Sequence, residues 1–295
     1  MKTVIENLQD TLEKVRIDLR ELLLKHSSIY QWHNNDDAPF ILITSGDFAY
    51  KPLNDAGKQL QDKIRAEYTY FNELVRSLLR TQSEDVLEQL ADADEGLRRT
   101  LDQQRTSHTS IEAAFDEASK QLQHQVNLLK NLYDPSPNNA IYVPDTNALL
   151  NDPTVENWSF EGVRTFSLYL VPAVLSELDA LKINHKNQRV RKKAETLIRK
   201  IKEYRRRGSL SDGVVLVRGK SNIFAIAVEP KMKDSLTWLD ENNVDDRFVA
   251  SVIEIMRLHP RSAVTAITLD INLQNKLEFA RIPFVEIPDP QVIKK

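Results

Sequence analysis

The sequence predicts an α/β protein in two parts: a C-terminal α/β/α sandwich with a central, mostly parallel sheet, preceded by an all-α N-terminal helical domain. Three observations carry that expectation. Apolar residues recur at every third or fourth position before the Asp134-Pro135 dipeptide, the period of amphipathic helices. Beyond it, short apolar runs alternate with helical stretches, the texture of a parallel sheet covered by its crossover helices. Between the two lies Asp134-Pro135-Ser136-Pro137-Asn138-Asn139, whose prolines and turn-formers cannot continue a helix. The expected domains are residues 1–133, a linker at 134–139, and residues 140–290.

In the first part, Val4, Leu8, Leu12, Val15, Leu19 and Leu22 set an amphipathic helix over residues 3–25. Asn34, Asn35, Asp36, Asp37 and Pro39 read as a loop around the short apolar run Phe40 to Ile43. Leu60, Ile64, Phe71, Leu74 and Leu78 give a second helix from Asp55 to Arg80. A third follows through Leu90 and Leu97, and a fourth through Ile111, Leu122 and Leu129. Together they predict a bundle or a partly coiled-coil unit. Its histidines, His26, His33, His108 and His124, show no metal-ligand spacing. A helical domain of mixed charge serves as a scaffold, a dimerisation unit or a docking surface, so a homo-oligomer or a protein partner through these helices stays open.

In the second part, Ile141 to Val143 reads as a buried strand closed by Pro144, with a helix from Ala148 whose first free amides Thr146-Asn147 can satisfy. Phe166 to Val171 is a second strand, followed by a helix that takes Pro172 in its first turn. A basic helix covers residues 187–207. Val214 to Val217 and Ile223 to Val228 read as a strand pair. A helix (Asp246 to Leu258), a strand (Val264 to Leu269), a helix (Leu273 to Ala280) and a last strand (Phe284 to Ile287) complete the alternation.

Composition narrows the chemistry. There are no cysteines among 295 residues, which removes disulfides, thiolate metal sites and cysteine nucleophiles. No apolar run has the length of a signal peptide or a bilayer span, so the expectation is a cytoplasmic protein with no membrane partner. Before Asn139 the chain holds 16 Lys/Arg against 23 Asp/Glu, and from Asn139 onward 24 against 20. The acidic balance of the whole chain therefore does not argue against an anionic ligand for the second half.

Acidic residues stand where that half's strands end and its helices begin: Asp145, Glu177, Asp245 with Asp246, and Asp270. On parallel strands these positions share one edge of the sheet, the edge at which open α/β folds bind ligands. Each has a plainer explanation when taken alone: Asp145 and Asp245 as helix caps, Asp246 as a partner of the helix dipole, Glu177 as an exposed helix residue, Asp270 as part of a turn. Gathered together, they repel unless a cation neutralises them, and hard oxygen ligands suit Mg²⁺ or Mn²⁺.

Val143-Pro144-Asp145-Thr146-Asn147, Val171-Pro172 leading to Leu175-Ser176-Glu177-Leu178-Asp179, Asp245-Asp246-Arg247-Phe248-Val249-Ala250 and Thr268-Leu269-Asp270 resemble, in order, the acidic motifs of PIN-domain nucleases. The resemblance covers the C-terminal half only. It implies metal-dependent endoribonuclease activity, with Asp145, Glu177, Asp245 and Asp270 as metal-binding, catalytic carboxylates and with Asn147, Asp246 and Thr268 in support. The register with Phe248-Val249-Ala250 favours Asp245 over Asp246 as the ligand. RNA is the implied substrate, with single-stranded DNA an open alternative.

Residues 187–207 carry an Arg/Lys density that a minimal domain of this kind lacks. Arg189, Arg191, Lys192, Lys193, Arg199, Arg205, Arg206 and Arg207 point to salt-sensitive, sequence-independent contact with a nucleic-acid backbone. An amphipathic helix with a solvated basic face explains the same pattern, and the two are compatible. The competing function is a catalytically silent PIN-like module that binds RNA or protein. Aspartyl-phosphate chemistry would place a second acid two residues after Asp145, where Asn147 stands, and the absence of a Gly-x4-Gly-Lys-Ser/Thr loop argues against an ATPase. The charge split further suggests that the acidic half restrains the basic one, in which case deleting residues 1–138 raises nuclease activity.

Overall fold

A computed structural model describes residues 2–31, 48–133 and 136–287, and the side chains of all of these except 136–138. It separates into two compact units, Leu8–Asn131 and Leu132–Lys295 together with Met1–Asn7. Among the described residues no helix is long and apolar enough to cross a membrane.

The first unit is helical, as its periodicity requires. Helix α1 (Val4–Glu21) continues into a short π-helical turn, and α2 (Asp55–Leu79), α3 (Glu84–Leu101) and α4 (Ile111–Leu132) follow. Leu12, Val15, Leu19, Ile64, Phe71, Leu97 and Leu122 all lie in the core. Asn54 caps α2 by accepting the Gly57 amide at 2.8 Å. Two short strands, β1 (Ile29–Gln31) and β2 (Phe48–Tyr50), pair antiparallel on either side of the expected loop. The expected run Phe40 to Ile43 lies outside the described residues.

The second unit is of the α/β class. Its sheet has the strand order β5-β6-β4-β3-β7-β8. The strands are β3 (Ser136–Pro144), β4 (Phe166–Leu170), β5 (Val214–Val217), β6 (Ser221–Ala225), β7 (Ser262–Ile267) and β8 (Phe284–Val285). All neighbours are parallel except β5 on β6. Ile141, Tyr142 and Val143 are fully enclosed, and burial of each such apolar side chain contributes about 1.5–3 kcal/mol. This is why the central strand reads as a continuous apolar run rather than an alternating one.

Among the described residues the sheet is accompanied by the α-helices α5 (Thr146–Asn151), α6 (Pro172–Asn184), α7 (Gln188–Arg207), α8 (Val244–Leu258) and α9 (Ile271–Phe279). Several expected boundaries move. Strand β3 begins at Ser136, within the stretch expected to be linker, with a register shift against β7 between Ser136 and Ala140. Strand β6 stops at Ala225 rather than Val228, which is exposed. Because Met1–Asn7 belongs to this unit, and the Asn7 side chain donates to the Arg281 carbonyl at 3.0 Å, deleting residues 1–138 would remove part of the α/β unit itself.

Candidate active site

Strand β3 has β4 on one side and β7 on the other, and the chain leaves these neighbours in different directions along the sheet. Such a switch point opens a crevice beyond the carboxyl ends of the strands. Asp145 follows β3 directly and stands in that crevice. It is 5 % exposed, and it rather than Thr146-Asn147 caps the next helix, accepting the Ala148 amide on Oδ1 at 2.6 Å. Its Oδ2 accepts the Thr268 hydroxyl at 2.5 Å.

Thr268 and Asp270 arrive from the end of β7. The Thr268 hydroxyl also accepts the Asp270 amide at 3.0 Å, so one hydroxyl fixes Asp145 and the backbone that carries Asp270. Asp270 caps α9 through the Asn272 amide at 2.8 Å, and its other oxygen receives the Asn147 amide group at 3.4 Å. Glu177, in the second turn of α6, accepts the Thr146 hydroxyl at 2.6 Å. Asp145, Asp270 and Glu177 are thus connected through the side chains of Thr146, Asn147 and Thr268.

Burial pushes the Asp145 carboxyl up to about 6, and the charges of Asp270 and Glu177 push the same way; the Thr268 and Ala148 hydrogen bonds oppose them without cancelling the effect. No cation meets Asp145 among the described residues.

Asp245 and Asp246 enter the same edge from the start of α8, capped by Asn243, whose side chain accepts both their amides. The two diverge. Asp246 is buried, with Oδ2 accepting the Asp240 amide at 2.9 Å and Oδ1 held by Lys276 Nζ at 2.6 Å. Asp245 is more open, and its Oδ2 lies 3.5 Å from the same ammonium. Burial alone would lower the Lys276 pKa, but these two carboxylates outweigh it and raise it.

Among the described residues, no three acidic or histidine side chains stand close enough to share one ion. The donor chemistry still fits a hard divalent cation. The carboxylates of Asp270 and Glu177 and the Thr268 hydroxyl lie around a buried carboxylate, Asp145, whose negative charge no cation among the described residues compensates. Asp145, Asp270, Glu177 and the more open Asp245 are the carboxylates that could serve such an ion. None of the first three meets a cation among the described residues, whereas Asp246 is closed by an ammonium at 2.6 Å and a backbone amide.

The basic helix α7 buries Ala194, Leu197 and Tyr204 and leaves its cationic face in solvent. The Tyr204 hydroxyl donates to Glu156, so this ring packs rather than offering itself to a base. Beyond α7 the chain reaches Leu210, whose carbonyl accepts the Ala225 amide at 2.9 Å, at the carboxyl end of β6. Gly213, at a φ of +95° and with no room for a Cβ beside the Phe224 ring, turns the chain into β5. Arg205, Arg206 and Arg207 therefore lie toward the carboxylate edge. Arg189, Arg191, Lys192 and Lys193 lie toward the other end of the helix, about 18–27 Å away along its axis at 1.5 Å per residue, with Arg199 between. Of these eight, only Arg191 is half-buried; the others are exposed.

Two site residues escaped the sequence reading. Thr146 reads from the sequence as a cap, and in the structure its hydroxyl holds Glu177. Lys276 carries no local signal, since its partners lie 30 and 31 residues earlier in the chain. Residues 142–287 match the family model of the PIN domain. No curated protein matches the chain.

Proposed function

The C-terminal half of the chain belongs to the PIN domain family, typically nucleases that use divalent metal ions on nucleic acids, and from that premise we propose that this protein is a metal-dependent endoribonuclease. The observation that carries the reading is Asp145: a carboxylate buried at the switch point, oriented by two donors, short of a cation and flanked by further carboxylates. Desolvated, charge-strained groups in a crevice mark functional sites.

In this reading Asp145, Glu177, Asp245 and Asp270 hold Mg²⁺ or Mn²⁺. Held there, such an ion would supply water activation and charge stabilisation at the departing oxygen of the phosphodiester. Thr268 and Ala148 keep both Asp145 oxygens aimed, Thr146 holds Glu177, and Asn147 steadies Asp270. Arg205, Arg206 and Arg207 hold the RNA backbone nearest the reaction, and the remaining basic residues of α7 extend that contact. The nuclease domain runs from β3 to β8.

The test is cleavage of labelled single-stranded RNA and single-stranded DNA with Mn²⁺, Mg²⁺ or EDTA, by wild type and Asp145→Asn. Metal-dependent cutting of RNA, lost in the variant, is the expected result. Folded wild-type protein that binds RNA and cuts it with neither metal would instead favour the silent binding module or a nuclease restrained by the acidic half.

A further inference from the structure

Lys276 reaches from the second turn of α9 to the acidic pair that opens α8. Its ammonium lies 2.6 Å from Asp246 Oδ1 and 3.5 Å from Asp245 Oδ2. The ammonium is three-quarters buried, at 25 % side-chain exposure, and Asp246 is closed on its other side by the Asp240 amide. This is a built arrangement rather than a loose surface pair. Two carboxylates from residues 245–246 meet the Lys276 ammonium, and a third chain segment, residue 240, closes the far oxygen of Asp246. Asp145, Asp270 and Glu177 have hydroxyl, amide and backbone donors but no ammonium or guanidinium partner among the described residues.

The acidic edge is therefore divided: one half carries its own positive charge and the other does not. We propose that Lys276 is a resident cation that takes the place of a second metal ion at the Asp245/Asp246 pair, so that the site binds a single divalent ion, drawn to the Asp145, Asp270 and Glu177 side. Two-ion phosphodiester sites hold their ions about 3.5–4 Å apart across shared carboxylates. An ammonium anchored on the α8 pair leaves such a second ion facing a fixed like charge in a poorly screened place. Asp245 still contributes to the single ion through its more open carboxylate. Lys276 acts through the acidic pair and is thus a positioning residue, not one that touches the reacting atoms.

This inference rests on the metal-dependent reading above, and its test separates the two. Mn²⁺ binding to the full-length protein is measured by titration calorimetry and by loss of the free-ion electron spin resonance signal. The proteins compared are wild type, Lys276→Met and Lys276→Arg, with circular dichroism to verify folding. The expected result is one Mn²⁺ per chain for wild type and for Lys276→Arg, which retains the charge. Lys276→Met should bind a second Mn²⁺, or bind the first at least tenfold more tightly. Two Mn²⁺ per wild-type chain, or identical stoichiometry and affinity in Lys276→Met, would overturn the assignment. Weaker binding in a folded Lys276→Met would also overturn it, making the lysine an organiser of the ligands instead of a substitute for one. Absence of binding by all three proteins would defeat the metal-dependent reading itself.

Discussion

Each unit of this protein buries an aspartate, and the two are treated in opposite ways. In the helical unit, Asp94 is 8 % exposed and fully answered: Tyr68 donates to it at 2.7 Å, Arg98 at 2.8 Å and Arg76 at 2.9 Å. Gln125 and Asn72 extend the network by hydrogen bonds to the Tyr68 hydroxyl. In the α/β unit, Asp145 is just as enclosed, yet its partners are a hydroxyl, a backbone amide and the repulsion of Asp270 and Glu177. A buried carboxylate given two arginines serves the packing of its own unit. One left short of positive charge, at a sheet's switch point, stores an electrostatic cost that a ligand can relieve. Burial alone does not separate structural from functional acids, whereas the charge balance around them does.

The comparison can be broken most directly at Asp145. Asp145→Asn keeps the shape and both hydrogen bonds, since the Thr268 hydroxyl can turn to accept. RNA cleavage should nevertheless fall by about 100-fold or more, the scale at which loss of one preorganised electrostatic group acts. Cleavage within severalfold of wild type would remove Asp145 from the chemistry.

The stability of the same variant relative to wild type should increase as pH rises. The folded-state pKa of Asp145 is raised from 3.8 to about 6, so protonation favours folding. That benefit is complete below the unfolded value and is lost as pH rises through the folded one. Near neutral pH the ionised group costs on the order of 3 kcal/mol. In EDTA, urea midpoints should show Asp145→Asn gaining on wild type by that order between about pH 4 and pH 7.5. A gain independent of pH would show that the carboxylate is not strained.

Asp94→Ala should act in the other direction. It strands the Tyr68 hydroxyl and two guanidinium groups that are 39–50 % exposed, so the cost is about 2 kcal/mol rather than the full cost of breaking a buried pair. Denaturant unfolding checks this, with cleavage by the folded fraction expected to be unchanged.

The smallest effects concern α7. Replacing Arg205, Arg206 and Arg207 together by glutamine should weaken RNA binding about tenfold. It should also reduce the slope of log affinity against log salt by about 2, near 0.7 per phosphate contact on a single strand. The same change at Arg189, Arg191 and Lys192 should do less. Equal losses from both sets would mean that RNA follows the whole helix.

Much of the fold was legible because it is written locally. The buried run Ile141 to Val143, the proline that ends it and the period of α1 to α4 are properties of neighbouring residues, and backbone sterics and one-sided burial act on them directly. The positions of Asp145, Glu177, Asp245 and Asp270 at strand ends and helix starts were legible for the same reason. The strands β1 and β2 were not. They are three residues each, and a pair so short is stabilised by its partner rather than by propensity.

Tertiary structure alone decided how the acidic residues are used. The bond between Thr268 and Asp145 spans 123 residues of chain, that between Thr146 and Glu177 spans 31, and Lys276 reaches Asp246 across 30. Local preference carries no information about such pairings, because each side chain would be equally comfortable in water on its own. The sequence by itself determined which carboxylates stand at the sheet's edge. Folding decided which of them is buried without a cation and which receives one, because the cost of an unpaired charge arises only once neighbouring elements have excluded water from it.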